Sequence, residues 1–217
     1  MTRTITVKGT GSVSLTPDLT EITMTLRTLD KDYDRAVERS AALLDGLREA
    51  LRGLGFKKGE LKTQSFNVST QYESQRDAQG NYRSVFMGYA CIHELALEFD
   101  FDTQRLSAAI RAIARCIAEP ELNIRFSVRD REGASDALLQ SAAKNARHRA
   151  EVLASASGAA LGQLVSVDYS WGELDVYSRT NYAMDAKCMA MPSDTAMDFT
   201  PDRIRLEDSV TFVWELL

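Results

Sequence analysis

Apolar and polar positions alternate from residue 4 to residue 15, with Ile5, Val7, Val13 and Leu15 sharing one face, and a period of two over that length predicts a β-strand. Thr16-Pro17-Asp18 reads as a turn, after which Ile22, Met24 and Leu26 resume the alternation, so an N-terminal hairpin is expected. Asp30 and Asp32 follow where a carboxylate can accept bonds from the unpaired N–H groups of a helix start. The period then changes to that of a helix. Tyr33, Ala36, Val37, Ser40, Leu44, Leu47, Leu51 and Leu54 form one stripe, and Gly53 or Gly55 supplies the left-handed residue that ends it.

A second strand pair is read at residues 61–72 and 85–99, joined by a polar tip from Glu73 to Asn81. Under strict alternation Val85, Met87, Tyr89, Cys91, His93, Leu95, Leu97 and Phe99 share one face. Straight, that strand would reach about 50 Å at ~3.3 Å per residue, more than a compact domain of this length needs. Either it bends near Gly88, or the hairpin within 61–99 extends as an arm whose apolar face another subunit covers.

Asp102 or Thr103 opens the next helix, with the stripe Leu106, Ala109, Ile110, Ile113 and Ile117. After Pro120 the residues Leu122, Ile124, Phe126 and Val128 alternate as a strand, and Asp130 caps a long helix that runs to Gly158. Its stripe is rich in alanine (Ala134, Ala137, Leu138, Ala142, Ala146, Ala150, Leu153), which permits close approach to a neighbouring element. Val165, Val167, Tyr169 and Trp171 predict another strand, residues 172–202 a long loop, and Ile204 to Leu216 a last strand with Val210, Phe212, Trp214 and Leu216 on one face. Asp208 falls on that face and calls for a bulge or a buried partner. The order is ββα–ββα–βα–ββ. It predicts an α+β fold with mixed or antiparallel sheets in a single domain over 1–217.

Composition narrows the function. A net charge of −5 argues against a nucleic-acid partner, which requires a concentrated basic face. The basic run Lys144, Arg147, His148 and Arg149 reads as a solvated helix face. No stretch approaches the roughly 20 apolar residues that span a bilayer, so no integral membrane segment is expected. Met1 to Val7 runs directly into the first strand pattern, which reads as cytoplasmic as written. Cys91, Cys116 and Cys188 have unrelated spacings, in keeping with a reducing compartment.

Candidate chemistry is sparse. Gly9-Thr10-Gly11-Ser12-Val13-Ser14 has the look of a phosphate loop, but such a loop needs a helix N-terminus behind it, and a strand follows here. A kink or bulge in the strand is the expectation. Glu98, Asp100 and Asp102 lie at alternate positions, as a divalent-metal site would place them, although helix capping accounts for Asp102. Cys91 and His93 share a strand face, which suits either soft-metal ligation or an apolar core or interface, the latter being the expectation. Met184, Cys188, Met189, Met191 and Met197 gather soft sulfur within one segment, as Cu(I) ligation or irregular apolar packing would use it. The two histidines, His93 and His148, belong to no acid–base or nucleophile constellation, so neither a catalytic residue nor a cofactor is expected.

Taken together, Val7 to Val13 with Pro17-Asp18, then Leu61-Lys62-Thr63-Gln64-Ser65-Phe66-Asn67-Val68, Gly88-Tyr89, Ala150 to Ala154 and the terminal Ser209 to Leu216 resemble, in that order, the segments of SIMPL-domain proteins. The resemblance implies an α+β fold, ring- or channel-like homo-oligomers in some members, and an association with the bacterial envelope or oxidative stress. It carries over no catalytic residue. Many such proteins bear a secretion signal that this sequence lacks, so a periplasmic location would follow only if a leader had been removed. Asp202-Arg203 also stands where the Pro/Gly-rich turn before the last strand is usual. The expected function is that of a non-enzymatic, self-assembling homo-oligomer, stress- or envelope-associated. The alternative is a module binding a soft metal or an apolar partner through Met184, Cys188, Met189 and Met191.

Overall fold

The computed structural model describes residues 3–76, 81–170, 174–185 and 199–217. In chain order the elements are β1 (Thr4–Leu15), β2 (Leu19–Asp30), α1 (Tyr33–Arg52), β3 (Leu61–Arg76), β4 (Tyr82–Asp100), α2 (Thr103–Ala114), β5 (Glu121–Ser127), α3 (Arg131–Ala156), β6 (Leu161–Asp168), β7 (Tyr177–Asp185) and β8 (Ile204–Leu216). The fold is α+β, as the alternation of periods predicts. Two sheets form, one of order β1-β8-β6 and one of order β3-β4-β2-β5-β7. The pairings of β1 with β8, β6 with β8, β2 with β4 and β3 with β4 are antiparallel.

The described chain gathers into two compact units, one built from Met1–Asp18, Ser127–Arg179 and Asp202–Leu217, the other from Leu19–Phe126 and Thr180–Pro201. In the first, β1 pairs with β8 without interruption from Thr4↔Glu215 to Leu15↔Ile204. α3 lies on this sheet with Ala134, Leu138, Ala142, Ala146, Ala150 and Ala154 buried at a strict spacing of four. The glycines of β1 explain the small residues. A Cβ at Gly9 would meet the Ala142 carbonyl and one at Gly11 the Leu138 carbonyl, both under 3.0 Å, so only glycine lets helix and strand come this close. The expected kink or bulge at Gly9–Gly11 is therefore corrected: the register is unbroken, and the glycines serve helix packing.

The expected N-terminal hairpin is also corrected. β1 and β2 belong to different sheets. Pro17 has no N–H to close a turn, and Asp18 is tied elsewhere, its N–H donating to the Ser127 carbonyl (3.1 Å) and its carboxylate accepting from the Arg129 N–H (2.8 Å). A further strand, β7, lies inside the segment 172–202 read as loop, so the order is ββα–ββα–βα–βββ. Its signal is weak because its polar residues dominate and only Tyr182 and Met184 pack toward the core.

In the second unit, Ile22, Met24 and Leu26 of β2 and Leu95, Leu97 and Phe99 of β4 meet Leu44, Leu47 and Leu51 of α1 and Leu106, Ile110 and Ile113 of α2 in one cluster. Burying each such side chain contributes roughly 1.5–3 kcal/mol. Asp32 caps α1 by accepting from the Arg35 N–H (3.1 Å), Asp102 caps α2 through Arg105 (2.6 Å), and Asp130 caps α3 through Gly133 (2.8 Å). Gly55, not Gly53, takes the left-handed conformation after α1, at φ 85°. Ile117 departs from its predicted stripe: α2 ends at Ala114, so Ile117 leaves the helical face and is exposed. Leu153 and Ala137 of α3 are exposed as well, the burial following the spacing of four through Ala154 instead. None of the helices among the described residues is long and apolar enough to cross a membrane.

Candidate functional site

β4 is where sheet and surface part company. β2 pairs with it only as far as Asp30↔Tyr89, whereas β3 continues to Arg76↔Tyr82. Residues 71–76 and 82–88 thus form a two-stranded arm beyond the edge of β2. A bulge also falls at its root, near Gly88 where a bend was expected: Gln71 faces Gly88 and Tyr72 faces Phe86, leaving Met87 without a partner. Gly88 sits at φ 144°, and a Cβ there would come within 3.0 Å of the Asp30 carbonyl, so the residue is held to glycine twice over.

One extra residue reverses the parity of everything beyond it. Val85, expected on the face of Cys91 and His93, lies on the opposite face, and Phe86 takes its place. Ring contacts confirm the switch. Tyr33 at the start of α1 meets Tyr89 edge-on (5.6 Å between centroids), Tyr89 meets Phe86 (5.5 Å), and Phe86 meets Tyr72 across the arm (5.5 Å). The stripe that is core under α1 therefore runs on past the first turn of that helix and becomes surface. Tyr72 and Tyr82 are 56% and 73% exposed, Phe86 38%, and Arg76 stands 6.0 Å from the Tyr82 ring on the same face. Aromatic side chains set in a row beside an arginine are the composition of interface centres.

Nearer the core the same face holds His93. A second bulge, at Gln64 between Thr63↔Leu95 and Ser65↔Glu94, brings Thr63 and Phe66 both onto the His93 side. Thr63 Oγ1 and His93 Nε2 are 2.9 Å apart, and the Phe66 ring stands edge-on to the imidazole at 5.1 Å. His93 Nδ1 and Arg48 Nε are buried without a hydrogen-bond partner. Burial, aided by the Arg48 charge, pushes the His93 pKa down. Cys91 is fully buried two residues away, so this pair is core, as its apolar face predicts.

The other sequence candidates separate. Asp102 is a helix cap. Among the described residues no three His, Cys, Asp or Glu side chains gather as metal ligands would. Met184 lies on β7, half-buried against the core beside Tyr182. Cys188, Met189, Met191 and Met197 lie outside the described residues. Asp208 finds its partner without a bulge: the Tyr169 hydroxyl donates to its carboxylate at 3.1 Å, and burial together with that carboxylate pushes the tyrosine pKa up. Of the basic run on α3, Arg147 pairs with Glu151 (3.0 Å) and Arg149 donates to the Lys8 carbonyl (3.3 Å). The sequence pointed to the arm through strand length alone; its aromatic row was hidden, since the bulge at Met87 breaks the alternation that would have revealed it.

An α+β protein of two antiparallel sheets, with an aromatic hairpin arm and a buried histidine at its root, is the class these features define. The chain belongs to the SIMPL family, proteins of unknown function (DUF541), whose model matches residues 5–214. Comparison with curated proteins found no match.

Proposed function

We propose that this SIMPL-family protein is a non-enzymatic, self-assembling protein, and that the arm of β3 and β4 is a surface through which copies meet. The observation that carries the reading is the uncovered aromatic row Tyr72, Tyr82 and Phe86, continuous through Tyr89 with the core. Exposing that row in a monomer leaves apolar area in water, at roughly 25 cal/mol per Å². A second copy removes that cost. The placement of His93 in the core, held toward its neutral form, supports the non-enzymatic side of the reading. The stress- or envelope-associated setting follows from the family resemblance and is part of the same proposal.

Light scattering on the purified protein tests it, with Tyr72→Glu and Phe86→Glu as partners to the parent chain. The parent is expected to scatter as an oligomer at tens of micromolar, and both variants as smaller species with unchanged far-ultraviolet circular dichroism. A monomeric parent chain overturns the proposal.

A further inference from the structure

The first unit contains a groove that the assembly reading does not use. β1 is an edge strand of its sheet, and alternation along it turns the backbone groups of the even-numbered residues outward, away from β8. Over its middle those groups are closed off by α3. Asn145 Oδ1 accepts from the Thr10 N–H (3.1 Å), Ser141 Oγ both accepts from the Ser12 N–H (3.3 Å) and donates to the Ser12 carbonyl (3.4 Å), and Arg149 donates to the Lys8 carbonyl. Side chains on one helix thus guard the edge from Lys8 to Ser12, as an aggregation-prone edge requires. The guard stops there. Thr6 and Thr4, of the same parity, have no such partner among the described residues, and beside Thr6 opens a groove of about 560 Å³. Thr6, Val7 and Lys8 form one wall, and His148, Arg149, Val152 and Leu153 the other. Val152 and Leu153 are half exposed on a helix whose burial stripe passes elsewhere.

We infer that this groove binds an extended, acidic segment of another protein by strand addition to the open end of β1. Each element of the recognition is present. Outward N–H and C=O groups offer ladder bonds, Val152 and Leu153 receive an apolar side chain, and Lys8, His148 and Arg149 place three basic groups around the site in a chain of net charge −5. A lysine-rich segment meets the like charges of Lys8 and Arg149 there, so the charge selects the ligand. Arg147, the neighbouring cation, is already paired with Glu151, whereas Arg149 donates to a neutral acceptor, the Lys8 carbonyl, and keeps its charge for a partner.

The probe is a blocked synthetic peptide in which valine alternates with glutamate, followed by fluorescence anisotropy against the full chain. A control peptide carries lysine in place of glutamate. Two variants separate the contacts. Val152→Glu places a like charge at an exposed helix position, and Thr6→Pro removes one outward N–H that no strand partner uses. Saturable binding of the acidic peptide is expected, weakened about tenfold or more by either variant and absent for the lysine peptide. Thermal melting should be unchanged in Val152→Glu, so a loss there reports the groove. Absence of saturable binding by the acidic peptide, or equal binding of both peptides, overturns the inference. A change of oligomer size in Val152→Glu without peptide binding overturns it too, since the groove would then be a contact between copies.

Discussion

His93 is 7% exposed, touches Thr63 through Nε2, has no partner at Nδ1, and lies near the Arg48 guanidinium, so a proton added there meets only apolar walls and a like charge. The consequence for stability follows from proton counting. With its folded pKa below the ordinary value of 6.5, the folded state binds fewer protons than the unfolded chain, and stability rises with pH across that interval. The contribution is complete above about 6.5 and is lost as pH falls from there toward the folded pKa. Melting temperatures at pH 7.5, 6.5 and 5.5 should therefore fall less for His93→Gln than for the parent chain; parallel curves would show that His93 is not the titrating group. Gly9 and Gly11 make a second prediction at this scale. A methyl group at either meets the α3 backbone, which cannot rotate away as a side chain can, so Gly9→Ala or Gly11→Ala should cost about 3 kcal/mol, the upper part of the usual overpacking range. Gly59→Ala, with nothing within 4 Å of its added carbon, should be near neutral by the same urea titration.

Elements were legible in the sequence where their period was long and uninterrupted. The stripe of α2 from Leu106 to Ile113, the strand Leu122 to Phe126 and the ladder face Val210, Phe212 and Trp214 all stand where alternation or helical spacing puts them. Reading failed where one residue changed the period or where pairing was non-local. Met87 and Gln64 are single insertions that shift a face without altering composition, and nothing in β1 announces that its partner is β8, two hundred residues away in some pairs, such as Thr4 and Glu215. β7 is hard to tell from a loop in the sequence because it has few apolar residues. Caps, by contrast, are local chemistry and were readable. Asp102→Ala should cost about 1 kcal/mol by removing the acceptor for the Arg105 N–H, and the loss should be the same with or without added Ca²⁺ or Mg²⁺. A loss that appears only in the presence of a divalent cation would assign that carboxylate to metal binding instead.

For the whole molecule, the arm decides what kind of assembly is expected. Its exposed face offers Tyr72, Tyr82 and Phe86, with Arg76 the charge beside them, so contact between copies there draws on apolar burial and ring stacking more than on ion pairs. Those forces respond to salt in opposite ways. Exposed ion pairs are screened within a Debye length of ~10 Å at 0.1 M and ~3 Å at 1 M, whereas burial of apolar surface is undiminished by salt and strengthened by sulfate. The proposed oligomer should therefore keep its mass in molar sodium chloride and in excess chelator, measured by light scattering at fixed protein concentration. Phe86→Ala gives the same surface a quantitative test. An aromatic anchor at the centre of an interface is worth about 2 kcal/mol, so its removal should raise the dissociation constant about thirtyfold, read as a shift of the assembly curve toward higher protein concentration. Val85→Ala, on the opposite face of the same strand because of the Met87 bulge, should shift that curve far less. Dissociation on adding chelator alone would place the assembly under a metal instead of the arm, and an equal response to both alanine variants would remove the aromatic face from the interface.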